Sequence, residues 1–161
     1  LISIAVGFAS PLAFNVNALS RFRGVQRRQD VLYTFANWTV LEDFAPHPTA
    51  IAATLQGLRA AYPGRELCVC FEPRSNTGCS SRFQHEFTQA LSSADRVYLG
   101  AVHRGERIEA HLRLDTSRMA EELAHERRMA IAFKRNEQLL EQIKADPASH
   151  PSVKTISVHG I

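Results

Sequence analysis

The sequence predicts an α/β domain: a mainly parallel sheet with an antiparallel hairpin at its edge and helices on both faces. Three observations carry this. Residues 67–71 are continuously apolar rather than alternating, as strands covered on both faces are. Segments with helical spacing of apolar residues stand between such runs. Strands joined through helices are parallel, because each crossover returns the chain to the same end of the sheet.

In chain order, Ser10-Pro11 caps and starts a helix running to about residue 22. Residues 30–35 and 39–44 are β-rich and flank Ala36-Asn37-Trp38, which makes a hairpin. Ile51, Leu55, Leu58 and Tyr62 form a helical stripe over 49–62, closed by Pro63-Gly64. The strand at 67–71 turns Cys68 and Cys70 to one face and Val69 to the other. A second amphipathic helix covers 81–92 with Phe83, Phe87 and Leu91 on one side, and a buried-type strand covers 96–102. Asp115 caps a further helix in which Met119, Leu123 and Met129 face the core. A strand at 130–133, a helix at 136–145, a loop at 147–151 and a strand at 153–158 complete the series. No repeat, low-complexity tract or domain boundary interrupts it, so residues 1–161 read as one domain.

Composition narrows the function class. With 161 residues, 45% hydrophobic and 22% charged, the chain suits one soluble globular core. No apolar run approaches the roughly 20 residues of a membrane helix. Residues 1–8 are apolar but lack a basic lead and a cleavage site, so they do not read as a signal peptide. A start inside an apolar run, without Met, predicts a fragment of a longer chain. Cys68, Cys70 and Cys79 cannot all pair and form no CxxC, which predicts buried free thiols in a reducing compartment and no metal site. The net charge is +3 and the basic residues form only short clusters, Arg21-Phe22-Arg23, Arg27-Arg28 and Arg127-Arg128. That is too little for a nucleic-acid surface, whereas guanidinium forks suit small anions. GxxxxGK[ST], HExxH and GxSxG are all absent.

Three polar loops sit where strands meet helices, the place ligands favour in open α/β sheets. The first, 42–49, combines Glu42, Asp43 and His47 with the start of a helix, a set suited to ribose hydroxyls, a metal or phosphate, or simply to a βα turn. The second, 71–78, offers Arg74, Ser75, Asn76 and Thr77 to an anionic ligand. The third, 22–28, is a basic turn whose guanidinium groups can meet phosphate or stack on a base. On the residues alone this is a ligand-binding α/β domain without a complete catalytic set.

Taken in order, the loops resemble those of the Mur ligases of peptidoglycan synthesis and recycling. FRGVQRR is similar to their F-x-G-V-K-R-R turn, and LEDFAPHPTAIAATLQGLRAAYPGR to their D-D-[FY]-[AG]-H-H-P-T segment and helix. CFEPRSNT, with FQHEF and ADRVYLG after it, resembles the murein peptide ligase branch. The resemblance is most specific over residues 13–101; beyond them mainly the order of helices and strands fits.

It implies a Rossmann-like C-terminal domain of a cytoplasmic three-domain enzyme whose UDP-sugar and P-loop ATPase domains lie elsewhere. Such an enzyme uses ATP and Mg2+, bound mainly by the central domain, to turn a carboxylate into an acyl phosphate that an amine then attacks. Its partners would be UDP-N-acetylmuramate, the murein tripeptide L-Ala-γ-D-Glu-meso-diaminopimelate and the enzyme's other domains, with no nucleic acid and no membrane. Arg28, Asp43 and His47 would contact the nucleotide, with His47 also catalytic beside the acyl phosphate. Arg74, Ser75, Asn76 and Thr77 would line the substrate side. An L-alanine ligase domain and a binding module that has lost catalysis are the alternatives; the domain alone is not expected to be active. This chain departs from the pattern at five positions. Gln26 replaces Lys, Glu42 an Asp and Pro46 a His, while Cys79 and Ser80 stand where basic residues are expected.

Overall fold

In the computed structural model, which describes residues 27–35, 38–125, 129–145 and 153–159, six strands form one sheet. They are β1 (Asp30–Phe35), β2 (Trp38–Asp43), β3 (Glu66–Glu72), β4 (Arg96–Leu99), β5 (Met129–Ala132) and β6 (Val153–His159). Their spatial order is β1-β2-β6-β3-β4-β5. β1 and β2 are the antiparallel edge hairpin, and every other pairing is parallel. The expected fold class is the observed one. The helix expected before residue 22 and the loop at 147–151 lie outside the described residues.

Among the described residues, five α-helices connect the strands: α1 (Pro48–Ala61), α2 (Asn76–Cys79), α3 (Gln84–Leu91), α4 (Thr116–His125) and α5 (Asn136–Ala145). From β2 to β5 the chain steps across the sheet in one direction, and from β5 to β6 it steps back. Right-handed crossovers therefore put α1, α3 and α4 on one face and α5 on the other. The burial pattern agrees. Leu67, Val69, Phe71, Val97 and Leu99 share a cluster with residues of α1, α3 and α4, while Cys68, Cys70 and Tyr98 share one with Leu139 of α5. The Phe71 and Phe87 rings meet at 5.2 Å at the centre of the larger cluster.

Three details differ from the sequence reading. The strand expected over 96–102 ends at Leu99. There Gly100 N donates to Phe71 O and Ala101 N to Asn136 Oδ1, which turns the chain off the sheet. A Cβ at 100 would lie 2.8 Å from Asn136 Oδ1, so any other residue would have to displace the amide that holds this turn. The helix expected from 81 opens as a 3-10 turn, Ser81–Phe83, after the unforeseen turn of α2. Met129 lies in β5, packed against the Cys68 cluster, and not on a helix.

Candidate functional site

Because β2, β6, β3, β4 and β5 run parallel, their C-terminal ends share one edge of the sheet. Asp43 and Phe71 both stand in register with Val158 of β6, and Phe71 with Leu99. The loops after β2 and β3 therefore open side by side, the placement that makes ligand crevices in such sheets.

The loop after β2 is held from within. Asp43 is only 4% exposed. Its Oδ2 accepts from Thr54 Oγ1 of α1 at 2.5 Å, and its Oδ1 from Gln29 N at 3.2 Å. This buried carboxylate thus ties the strand end, the helix and the turn before β1 together. A buried charge is tolerated when its oxygens are satisfied in this way. That turn is unusual, because Arg27 and Gln29 both adopt left-handed backbone (φ 57° and 52°). Phe44 N donates to Arg27 O at 2.6 Å, and Arg27 pairs with Glu42 at 3.5 Å. Arg28 donates through Nη1 to Phe44 O and lies over the Phe44 ring, 5.0 Å from its centroid. The ring and carbonyl fix the guanidinium's pose while the rest of this exposed fork stays open.

His47 is the N-cap of α1, with Pro48 at the first helical positions. Thr49 N donates to His47 Nδ1 at 3.3 Å. An Nδ1 that accepts leaves the proton of the neutral ring on Nε2. The imidazole meets Phe83 edge-on at 5.1 Å, so the first loop touches the 3-10 turn that follows the second.

The loop after β3 is anchored at its base and open at its rim. Asn136 donates through Nδ2 to Glu72 Oε1 at 2.7 Å, and Glu72 Oε1 in turn holds Arg74 Nε at 3.3 Å. The first residue of α5 therefore aims Arg74 through Glu72. Ser75 caps α2 by accepting from Gly78 N at 2.8 Å; Asn76 is exposed and Thr77 half-buried.

Arg74, Asn76, Cys79 and Ser80 line one wall of a cleft of about 570 Å3. The other wall, from the connection between β4 and α4, carries His103, Arg104 and Arg107. The walls are fastened together. His103 N donates to Pro73 O at 2.8 Å, and Leu114 N to Cys79 O at 2.8 Å. The Cys79 thiol donates to Pro73 O at 3.2 Å, and His103 O lies 3.8 Å away. Burial raises the Cys79 pKa, against the opposing hydrogen bond to His103, which keeps the thiol protonated as a donor. Sequence reading missed His103, Arg104 and Arg107. The cue was the run Val102-His103-Arg104-Gly105-Glu106-Arg107 directly after a buried strand.

Of the seven residues singled out, Arg28, Asp43 and His47 gather around the first loop and Arg74 to Thr77 around the second. Asp43 is buried with its oxygens accepting from Thr54 and Gln29, so it holds the turn that carries Arg28. Among the described residues, no group of three or more His, Cys, Asp or Glu side chains could hold a metal ion. No helix among them is long and apolar enough to cross a membrane.

A family model described as Mur ligase, glutamate ligase domain, matches residues 27–152. The chain belongs to this family. The expectation drawn from its three loops is met at that level. A UDP-N-acetylmuramate–L-alanine ligase from Acidithiobacillus ferrooxidans is 38% identical over 103 residues, which cover 62% of this chain and 22% of that protein. The Mur ligase domain thus spans about a fifth of the length of the curated relatives it matches. A solved domain assigned to a UDP-N-acetylmuramate:L-alanyl-γ-D-glutamyl-meso-diaminopimelate ligase from Haemophilus ducreyi superposes with a TM-score of 0.60 and 25% identity, covering 83% of this chain and 89% of that one. The UDP-N-acetylmuramate–alanine ligase of Thermotoga maritima has the same fold, with a TM-score of 0.68 at 21% identity over 94% of this chain and 30% of that one.

Proposed function

We propose that this domain is the C-terminal part of a cytoplasmic, ATP-dependent amide ligase that joins UDP-N-acetylmuramate to L-Ala-γ-D-Glu-meso-diaminopimelate in peptidoglycan recycling. The observation that carries the reading is Arg74, aimed through Glu72 and Asn136 into a preformed cleft of about 570 Å3. A guanidinium fork matches a carboxylate, and a cleft of that size suits a peptide better than a single small amino acid.

The first loop fits a nucleotide through two of its three candidates. The Arg28 guanidinium, held over the Phe44 ring, keeps donors to spare, and the Nε2–H of His47 can donate to a phosphate oxygen. Asp43 serves by holding Gln29 and the turn. When bound, ATP supplies the phosphoryl group that activates the muramate carboxylate, and Mg2+ would be held mainly by the central domain. Closure of this domain over the reacting groups would exclude water from an acyl phosphate that hydrolyses readily.

A second reading, with L-alanine as acceptor, is favoured by the 38% identical relative. A ligation assay on the full-length parent with tripeptide, L-alanine or no acceptor separates the two. Tripeptide-dependent product and ADP release are expected. Preference for L-alanine moves the chain to the second reading, and no product with either acceptor points to a binding module without catalysis.

A further inference from the structure

We propose that Arg104 and Arg107 complete, with Arg74, a subsite for an acceptor bearing several carboxylates. This rests on the acceptor reading of the cleft above and names the chemical class that the cleft selects.

Charge is the first argument. Three guanidinium groups and His103 converge on the cleft from two walls. Few carboxylates offset them. Glu72, held by Asn136, pairs with Arg74 and so offsets one of the three. Glu106 approaches Arg107 only at 3.8 Å, with both side chains more than 70% exposed, a pair worth almost nothing in water. No ion pair to Arg104 occurs among the described residues.

Backbone geometry is the second. Arg104 adopts φ 50°, ψ 33°, the left-handed region that a non-glycine residue enters only against steric cost. Surrounding bonds hold it there. Gly105 N donates to Val102 O, Arg107 N to Arg104 O, and Arg113 Nη1 to Gly105 O at 2.8 Å. This tight turn brings Arg104 and Arg107 to the same wall, opposite Arg74. Because the two walls are already hydrogen-bonded to each other, the backbone positions that carry the forks are set before any ligand arrives.

The tripeptide carries several carboxylates and L-alanine only one. Paired forks on facing walls therefore favour the peptide, and they leave the nucleotide to the loop after β2.

The test uses the full-length enzyme and Arg104→Gly, alone and with Arg107→Ala. Glycine at 104 removes the guanidinium while accepting the left-handed backbone, so the melting temperature should hold or rise. The KM for tripeptide is expected to increase about tenfold for each arginine removed, with the KM values for ATP and UDP-N-acetylmuramate unchanged. Tripeptide with amidated diaminopimelate carboxyls should bind the native enzyme as weakly as intact tripeptide binds the variants. An unchanged tripeptide KM overturns the proposal, as does a rise confined to ATP, which would make the cleft a phosphate site. Equilibrium dialysis of labelled tripeptide against the same proteins needs no catalysis. Binding lost on Arg104→Gly in a protein that ligates nothing would sink the ligase reading and keep this one. Ligation unaffected by either variant would do the reverse.

Discussion

The two loops at the shared sheet edge use polar side chains in opposite ways. After β2, Asp43 closes on Thr54 and Gln29, and His47 caps its own helix. After β3, the polar groups at the base hold one another, Asn136 to Glu72 to Arg74, and the outer arginines stay exposed. A carboxylate or imidazole in a polar loop motif can thus hold either a turn or a ligand. Its hydrogen bonds decide which. Substitution of the buried Asp43 should read out mainly in stability, that of the exposed Arg28 beside it in nucleotide binding, and those at the rim of the second loop in acceptor binding.

The largest effects test the buried parts of each loop. Asp43→Ala leaves the Thr54 hydroxyl and Gln29 N–H without their partner and should cost about 3 kcal/mol in urea denaturation. A loss under about 1 kcal/mol would mean that Asp43 is not the fastening. Cys79→Arg places a charge in a position 5% exposed and should also cost about 3 kcal/mol or more. Wild-type stability in that variant would show that the wall has room for the basic residue the resemblance leads one to expect. At the next level, Asn136→Ala removes the amide that holds Glu72 Oε1 and so loosens the aim of Arg74, raising the tripeptide KM by about tenfold at constant kcat in the full-length enzyme. If kcat falls instead, Asn136 acts on the chemistry. The smallest effect is His47→Ala, which removes the N-cap of α1 and should cost about 1 kcal/mol by thermal melting.

Much of the fold was legible because apolar runs and helical stripes depend on local spacing. Residues 67–71 announced a strand covered on both faces, and Cys68 and Val69 do face different clusters. The end of β4 was not legible, because it depends on Asn136, distant in sequence, closing over Gly100. For the site, the loop after β3 was visible as a polar run at a strand end. Arg104 and Arg107 were not, since only folding brings the connection after β4 across from Arg74. The resemblance led to an expectation of positive charge at 79 and 80; in this chain guanidinium groups reach the same cleft from the facing wall.

The division of labour between the loops is tested most directly by steady-state kinetics on the full-length enzyme with Arg28→Ala and Arg74→Ala in parallel. Arg28→Ala should raise the KM for ATP and leave that for tripeptide unchanged; Arg74→Ala should do the opposite. Variants that shift both constants together, or that exchange these effects, would contradict it.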